Sequence, residues 1–212
     1  MSSRNRNNPL ALAVLMCLHR GDMHPYEIAT TLRRQHKDEA IKLNYGSLYS
    51  VVCALERRGL IAARETEREG RLPERTIYRL TPAGRVEAHD WLAELLAVPA
   101  KDYPSFAAAL SFLPGVRPQE AIALLEERAG RLEAIIAAHD VVRKMLEQRG
   151  LPEVLWIEAE FAVELRRAEL GFVRRLIDRV AGAAIGGFEL WQGWHDGTAA
   201  VPDFALSSGG RE

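Results

Sequence analysis

Along the first eighty residues the apolar positions recur every three or four residues in three short stretches, then switch to alternation. Pro9 to Arg20 carries Leu10, Val14, Cys17 and Leu18 on one helical face and stops at Gly21, and His24-Pro25-Tyr26 opens a second helix from about Glu27 to Arg34. The third stretch carries Leu48, Val51, Val52 and Leu55 at the same spacing; Asn44 can cap its first free N–H groups and Gly59 ends it. Leu60 to Arg64 and Thr76 to Leu80 alternate as strands do, around the charged stretch Glu65 to Glu74 with Gly70 and Pro73 at its turn. Thr81 before Pro82 then starts another helix.

Three short helices followed by a two-stranded wing predict a winged helix-turn-helix. The second half is patterned differently. Pro99 and Pro104 break the chain, Phe106 to Leu113 is a short apolar segment, and Pro114-Gly115 breaks it again before a long helix from Pro118 to about Arg149. Ala121, Leu125, Leu132, Ile135, His139, Val142 and Leu146 form its stripe. After a hairpin at Gly150-Leu151-Pro152, a second long helix carries Ile157, Phe161, Leu165, Ala168, Phe172 and Leu176 and ends at Gly182. Two such stripes on one hairpin exceed the surface available inside a monomer and predict a symmetric dimer. The fold class expected is mainly α with a small β-wing: a winged domain with its connecting helix over 1–98, and a helical dimerisation domain over 99–182. Residues 183–212 read as a glycine-rich, partly disordered tail that is neither clean linker nor helix.

The third helix is where chemistry enters. Opposite its apolar stripe it carries Tyr45, Ser47, Tyr49 and Ser50, hydroxyl and aromatic groups suited to phosphate oxygens and base edges in a major groove. Net charge is −1 overall, which is not that of a basic nucleic-acid binder. Its distribution answers part of that objection: residues 1–90 hold 15 Lys and Arg against 11 Asp and Glu, a net of +4, leaving −5 for the rest. Arg4 and Arg6, Lys42, and Arg68, Arg71 and Arg75 on the wing form the expected basic patch.

Taken in order, Tyr26-Glu27-Ile28, Gly46-Ser47-Leu48-Tyr49, Leu55-Glu56, Gly59-Leu60-Ile61 and Tyr78-Arg79-Leu80-Thr81-Pro82-Ala83-Gly84 resemble the PadR family of bacterial transcriptional regulators over roughly the first ninety residues. Phe106 to Leu113 is similar to the start of that family's longer C-terminal domain. One departure is Ser50, where many members have proline, which leaves the helix more regular there. The resemblance implies a DNA-binding regulator, generally a repressor, working as a homodimer on an inverted-repeat operator and released by a small molecule or other signal. The residues expected at DNA are Tyr26, Lys42, Asn44, Tyr45, Gly46, Ser47, Tyr49, Ser50, Arg68, Arg71 and Arg75. Tyr49 has a second reading, packing against the wing in support of Tyr78. The residues expected around an effector are Trp91, Phe106, Phe112, His139, Trp156 and Phe161, each of which also reads as ordinary core.

Other classes fit less well. There is no Gly-x-Ser-x-Gly elbow, phosphate-binding loop, dinucleotide glycine pattern or His-Glu-x-x-His helix, so an enzyme is not expected, nor is a cofactor or metal. A winged-helix module that binds protein instead of DNA stays open, because the fold does not fix the partner. No run approaches the roughly 20 apolar residues that span a bilayer, and the polar start from Met1 to Asn8 lacks a signal-peptide core, so a cytoplasmic location is expected. Cys17 and Cys53 both lie on apolar helical stretches and read as buried packing residues.

Overall fold

A computed structural model describes residues 8–67 and 75–200, which divide into two compact units at Asp102/Tyr103. The first contains α1 (Pro9–Arg20), α2 (Pro25–Arg34), a 3₁₀ turn at Lys37–Glu39, α3 (Tyr45–Arg57), β1 (Ile61–Glu67), β2 (Arg75–Leu80) and α4 (Pro82–Ala97). The second contains α5 (Ser105–Leu110), α6 (Pro118–Gln148), α7 (Ile157–Ala181) and α8 (Phe188–Asp196). Residues 1–7, 68–74 and 201–212, among them Arg4, Arg6, Arg68, Gly70, Arg71 and Pro73, lie outside the described residues. The same holds for the side chain of Arg75, although its backbone begins β2.

Helix boundaries in the first unit follow from caps. Asn8 Oδ1 accepts from Leu10 N–H, His24 and Glu27 form a reciprocal capping box at the start of α2, and Thr81 Oγ1 accepts from Gly84 N–H at the start of α4. Leu10, Val14, Leu15, Leu18, Ile28, Leu48, Val52, Leu55 and Ile61 then close over Trp91 in one core. The wing is antiparallel, Ile61 opposite Leu80, with a bulge between Ala63 and Glu65. Its root is tied to the α1–α2 loop by paired backbone bonds between Met23 and Tyr78, both 3.1 Å, and by an Arg64–Asp22 ion pair. Gly84 sits so close to the wing root that an added Cβ would meet Leu60 O at 2.0 Å. Any side chain there would force the wing root to shift.

In the second unit α6 and α7 pack as a hairpin around Ala121, Leu125, Leu132, Leu170, Val173, Leu176 and Val180. The single stripe read from the sequence of α7 is in fact two. Val163, Leu170, Val173, Leu176 and Val180 are buried, whereas Ile157, Phe161, Leu165 and Phe172 are exposed. The tail also differs from expectation, because Phe188–Asp196 is helical. Gly187 and Gly197 bracket it in the left-handed conformation, at φ 80° and 73°, and Trp191 is buried with its indole N–H donating to Val116 O at 2.8 Å. Arg117 adds bonds to Asp196 and His195 O, both 3.0 Å. Apolar burial by Trp191 and two glycine caps make a helix of a segment whose composition suggests none.

Candidate nucleic-acid interface

The candidate interface is built on α3. Asn44 Oδ1 accepts from Ser47 N–H at 2.7 Å, which fixes the first turn, and Leu48, Val51, Val52 and Leu55 fasten one face to the core. At about 100° per residue, the face directly opposite that stripe carries Gly46, Ser50, Cys53 and Arg57, with Tyr49 and Ser47 beside it and Tyr45 on the flank. All seven are exposed. Gly46 leaves open space, the nearest atom to where a Cβ would stand being Asn44 Oδ1 at 3.8 Å. Ser50 Oγ donates to Gly46 O at 3.0 Å, an ordinary helical back-bond that leaves its lone pairs facing outward. With serine here the helix keeps its regular turn.

The sequence points to Tyr45, Ser47, Tyr49 and Ser50 but not to Cys53 or Arg57. Cys53, expected to be buried, is exposed one turn along from Ser50; Cys17 alone is buried, and burial pushes its thiol pKa up. The wheel position of residue 53, opposite Leu48 and Leu55, is legible in the spacing but runs against the general preference of cysteine for interiors. Tyr49 is 46% exposed. Tyr78, on the wing, has its phenol pKa raised chiefly by burial, then by Glu56, with Cys53 and Tyr49 near enough to add smaller effects. Tyr49 therefore stands at the seam of α3 and the wing while keeping nearly half its surface in solvent.

Tyr26 is 58% exposed at the start of α2, and its ring lies near-parallel to that of Tyr45, with centroids 6.2 Å apart. Lys42 is exposed just before the cap. The wing arginines cannot be placed beside these residues, since Arg68 and Arg71 and the side chain of Arg75 lie outside the described residues.

The Transcriptional regulator PadR-like family matches residues 14–90, which span all of α2, α3 and the wing. Over those residues the chain is similar to the PadR-like family. The negative transcriptional regulator PadR of Bacillus subtilis is 26% identical over 151 residues, 71% of this chain and 77% of that protein. The crystal structure of Bacillus subtilis PadR in complex with operator DNA superposes with a TM-score of 0.66 at 21% identity, covering 82% of this chain and 99% of that one. The same protein in complex with p-coumaric acid gives 0.66 at 19% identity, over 81% and 98%. PadR-like proteins are transcriptional regulators and not enzymes, and the helical frame with its two-stranded wing is theirs.

Of the six residues expected around an effector, Trp91 lies in the first unit and the other five in the second, where they occupy separate places. Phe106 and Phe112 line a cavity of about 560 Å³ with Leu110, Leu113, Leu125 and Leu132, and Arg128 covers the Phe106 ring at 3.7 Å while bonded to Glu169. Trp156 lines a second, polar cavity of about 350 Å³ with Arg143, Glu147 and Glu160. His139 and Phe161 line neither, and Phe161 is 65% exposed. Trp91 is core of the first unit, its indole N–H buried without a hydrogen-bond partner among the described residues. Aromatic residues on helical stripes serve packing and surface as often as cavity.

Proposed function

We propose that this chain is a homodimeric repressor that occupies an inverted-repeat operator in the cytoplasm and leaves it when a small molecule binds. The observation that carries the reading is α3: a capped helix with four buried apolar residues on one side and an exposed Gly46, Ser50, Tyr49 and Ser47 surface on the other. Such a helix enters a major groove by its N-terminal half. One helix reads too few base pairs, whereas two related by a two-fold axis read half-sites about 34 Å apart. The exposed Ile157, Phe161, Leu165 and Phe172 stripe supports the dimer, since apolar surface of that extent on one helix is covered by a partner. Tyr26 and Lys42 hold the backbone beside α3, joined by the wing arginines 68, 71 and 75. The cavity at Phe106 and Phe112, lined by apolar residues together with Glu127, Arg128, Arg131 and Arg166 and within the size range of small-molecule sites, is the effector site in this reading. Its support is that Bacillus subtilis PadR was crystallised with p-coumaric acid.

The experiment is an anisotropy titration against duplexes tiled upstream of the protein's own gene, with scrambled duplex as control and Ser47→Glu as variant. A glutamate near a helix N-terminus is electrostatically welcome, so the variant folds and any loss of binding comes from the DNA. Preferred, salt-sensitive binding that Ser47→Glu abolishes is the expected result. Absence of any preferred duplex, with the protein folded and dimeric, favours a distant operator or the protein-binding module instead.

A further inference from the structure

The α2 surface beside α3 brings two tyrosines and an arginine together. Tyr26 and Arg33 are seven residues apart, two turns of α2, and so project from one face. Tyr45, the first residue of α3, inserts its ring against both. It stacks on Tyr26 at an interplanar angle of 7°, lies 4.6 Å from the Arg33 guanidinium carbon, and accepts a hydrogen bond from Arg33 Nη1 at 2.7 Å. A phenol has one proton and two lone pairs. With a cation already donating to its oxygen, the Tyr45 hydroxyl is polarised and left to donate its own proton. Its free proton suits an external acceptor. Arg33 itself keeps further N–H groups, and its partner is a neutral phenol that does not cancel its charge.

A guanidinium and a phenolic proton side by side, both at the surface, match a phosphodiester, which offers two acceptor oxygens and one negative charge. We propose that Arg33, Tyr45 and Tyr26 form a phosphate-binding platform for the DNA backbone, with Arg33 carrying the charge and Tyr45 serving the backbone instead of the bases. The inference rests on α3 being the recognition helix. It is supported by the wheel, which sets Tyr45 on the flank of α3 toward α2, away from the Gly46, Ser50, Cys53 and Arg57 face. The competing role is internal: Arg33 only clamps α2 to α3 and complements the C-terminal end of α2.

The two roles separate in the salt dependence of binding. Full-length protein, Arg33→Gln, Arg33→Lys and Tyr45→Phe are titrated over a salt series against the duplex that the unaltered protein prefers and against scrambled duplex. Arg33→Gln is expected to weaken both by a similar factor, roughly tenfold. It is also expected to flatten the slope of log affinity against log salt by about 0.9 for each phosphate no longer neutralised, about 1.8 for two subunits. Arg33→Lys keeps the slope, and Tyr45→Phe keeps both slope and stack while losing the hydroxyl donor. An unchanged slope in a folded Arg33→Gln protein overturns the platform, and so does a loss confined to the preferred duplex, which would be base reading. If the unaltered protein binds no duplex, the recognition-helix reading fails and the platform with it; if it binds and Arg33→Gln matches it, the platform alone fails.

Discussion

Helices α3 and α7 are both amphipathic, but α3 has one apolar stripe and α7 has two. On α3 the four apolar residues at helical spacing are between 0% and 7% exposed, so its own unit completes the packing and the remaining surface is polar and open to a ligand. On α7 the buried Val163, Leu170, Val173, Leu176 and Val180 stand beside an exposed Ile157, Phe161, Leu165 and Phe172, an apolar arc of roughly 240° at about 100° per residue. The apolar arc of α7 exceeds what its own unit covers, and a contiguous exposed apolar patch is a feature of interaction surfaces. Equal periodicity in sequence can thus mean completion by the chain's own core in one place and by another surface elsewhere.

The strongest test of completeness in the first unit is Gly84→Ala. An added methyl would meet Leu60 O at 2.0 Å and Leu80 Cδ1 at 2.7 Å, and the oxygen belongs to backbone at the wing root, which cannot swing aside. We expect a loss of about 3 kcal/mol or more in urea unfolding, beyond ordinary overpacking. A loss under about 1 kcal/mol would mean that the wing root yields, and that the packing of α4 on β1 and β2 is looser than the geometry states.

The next effect tests the open stripe on α7. Phe161→Asp with Leu165→Asp alters side chains that are 65% and 54% exposed in the subunit, so no cavity forms within it. The expected outcome is a monomer by sedimentation, with a melting temperature that no longer rises with protein concentration. Helix content should be retained. A variant that still sediments as the parent does would show that the stripe is not where copies meet, and the contrast between α3 and α7 would lose its meaning.

Legibility follows the same division. Caps, glycine stops and the change from helical to alternating period place α1 to α4 and both strands from sequence, because each signal there is local: Asn44 bonds Ser47, and Thr81 bonds Gly84. What fails depends on neighbours distant in sequence. Trp191 is buried in the core of the second unit and donates to the carbonyl of Val116, 75 residues earlier, and nothing in the glycine-rich stretch around it announces a helix. Periodicity does not sort the six aromatic and histidine residues into Trp91 in one core, Phe106 and Phe112 at a cavity, and Phe161 at the surface, because apolarity is common to all three environments. At the candidate interface the exposure of Tyr45, Ser47, Tyr49 and Ser50 is legible in the spacing, whereas that of Cys53 and the contact made by Arg33 are not. The 2.7 Å bond from Arg33 to Tyr45 is a pairing between α2 and α3 that no period encodes.

A smaller effect tests the cap that makes α3 stand up for its ligand. Asn44→Ala removes the acceptor for Ser47 N–H, and the loss should be about 1 kcal/mol of stability. Because the unpaired N–H is exposed to water, the cost stays near that of a cap and does not reach that of a buried orphan. DNA affinity should fall with it by a smaller factor than in Ser47→Glu, since the helix frays at its first turn without gaining a charge. Equal losses from the two variants would mean that the first turn matters only as a rigid whole.

The smallest expected change is a gain, and it probes the contrast between finished and unfinished surface from the other side. Gly130 lies inside the long helix α6, exposed, with negative φ and nothing within 4 Å of where a Cβ would stand. In a helix interior alanine is preferred over glycine by roughly 0.5–1 kcal/mol, because glycine loses more backbone entropy on folding and leaves the backbone more exposed. If this face of α6 meets only water in the assembled protein, Gly130→Ala should raise the unfolding free energy by about that amount. If a partner helix lies close over the glycine, the methyl has no room and the sign reverses, with a fall in dimer affinity that dilution reveals. The single subunit predicts the gain. A loss would place Gly130 at a close helix crossing and extend the unfinished surface from α7 onto α6.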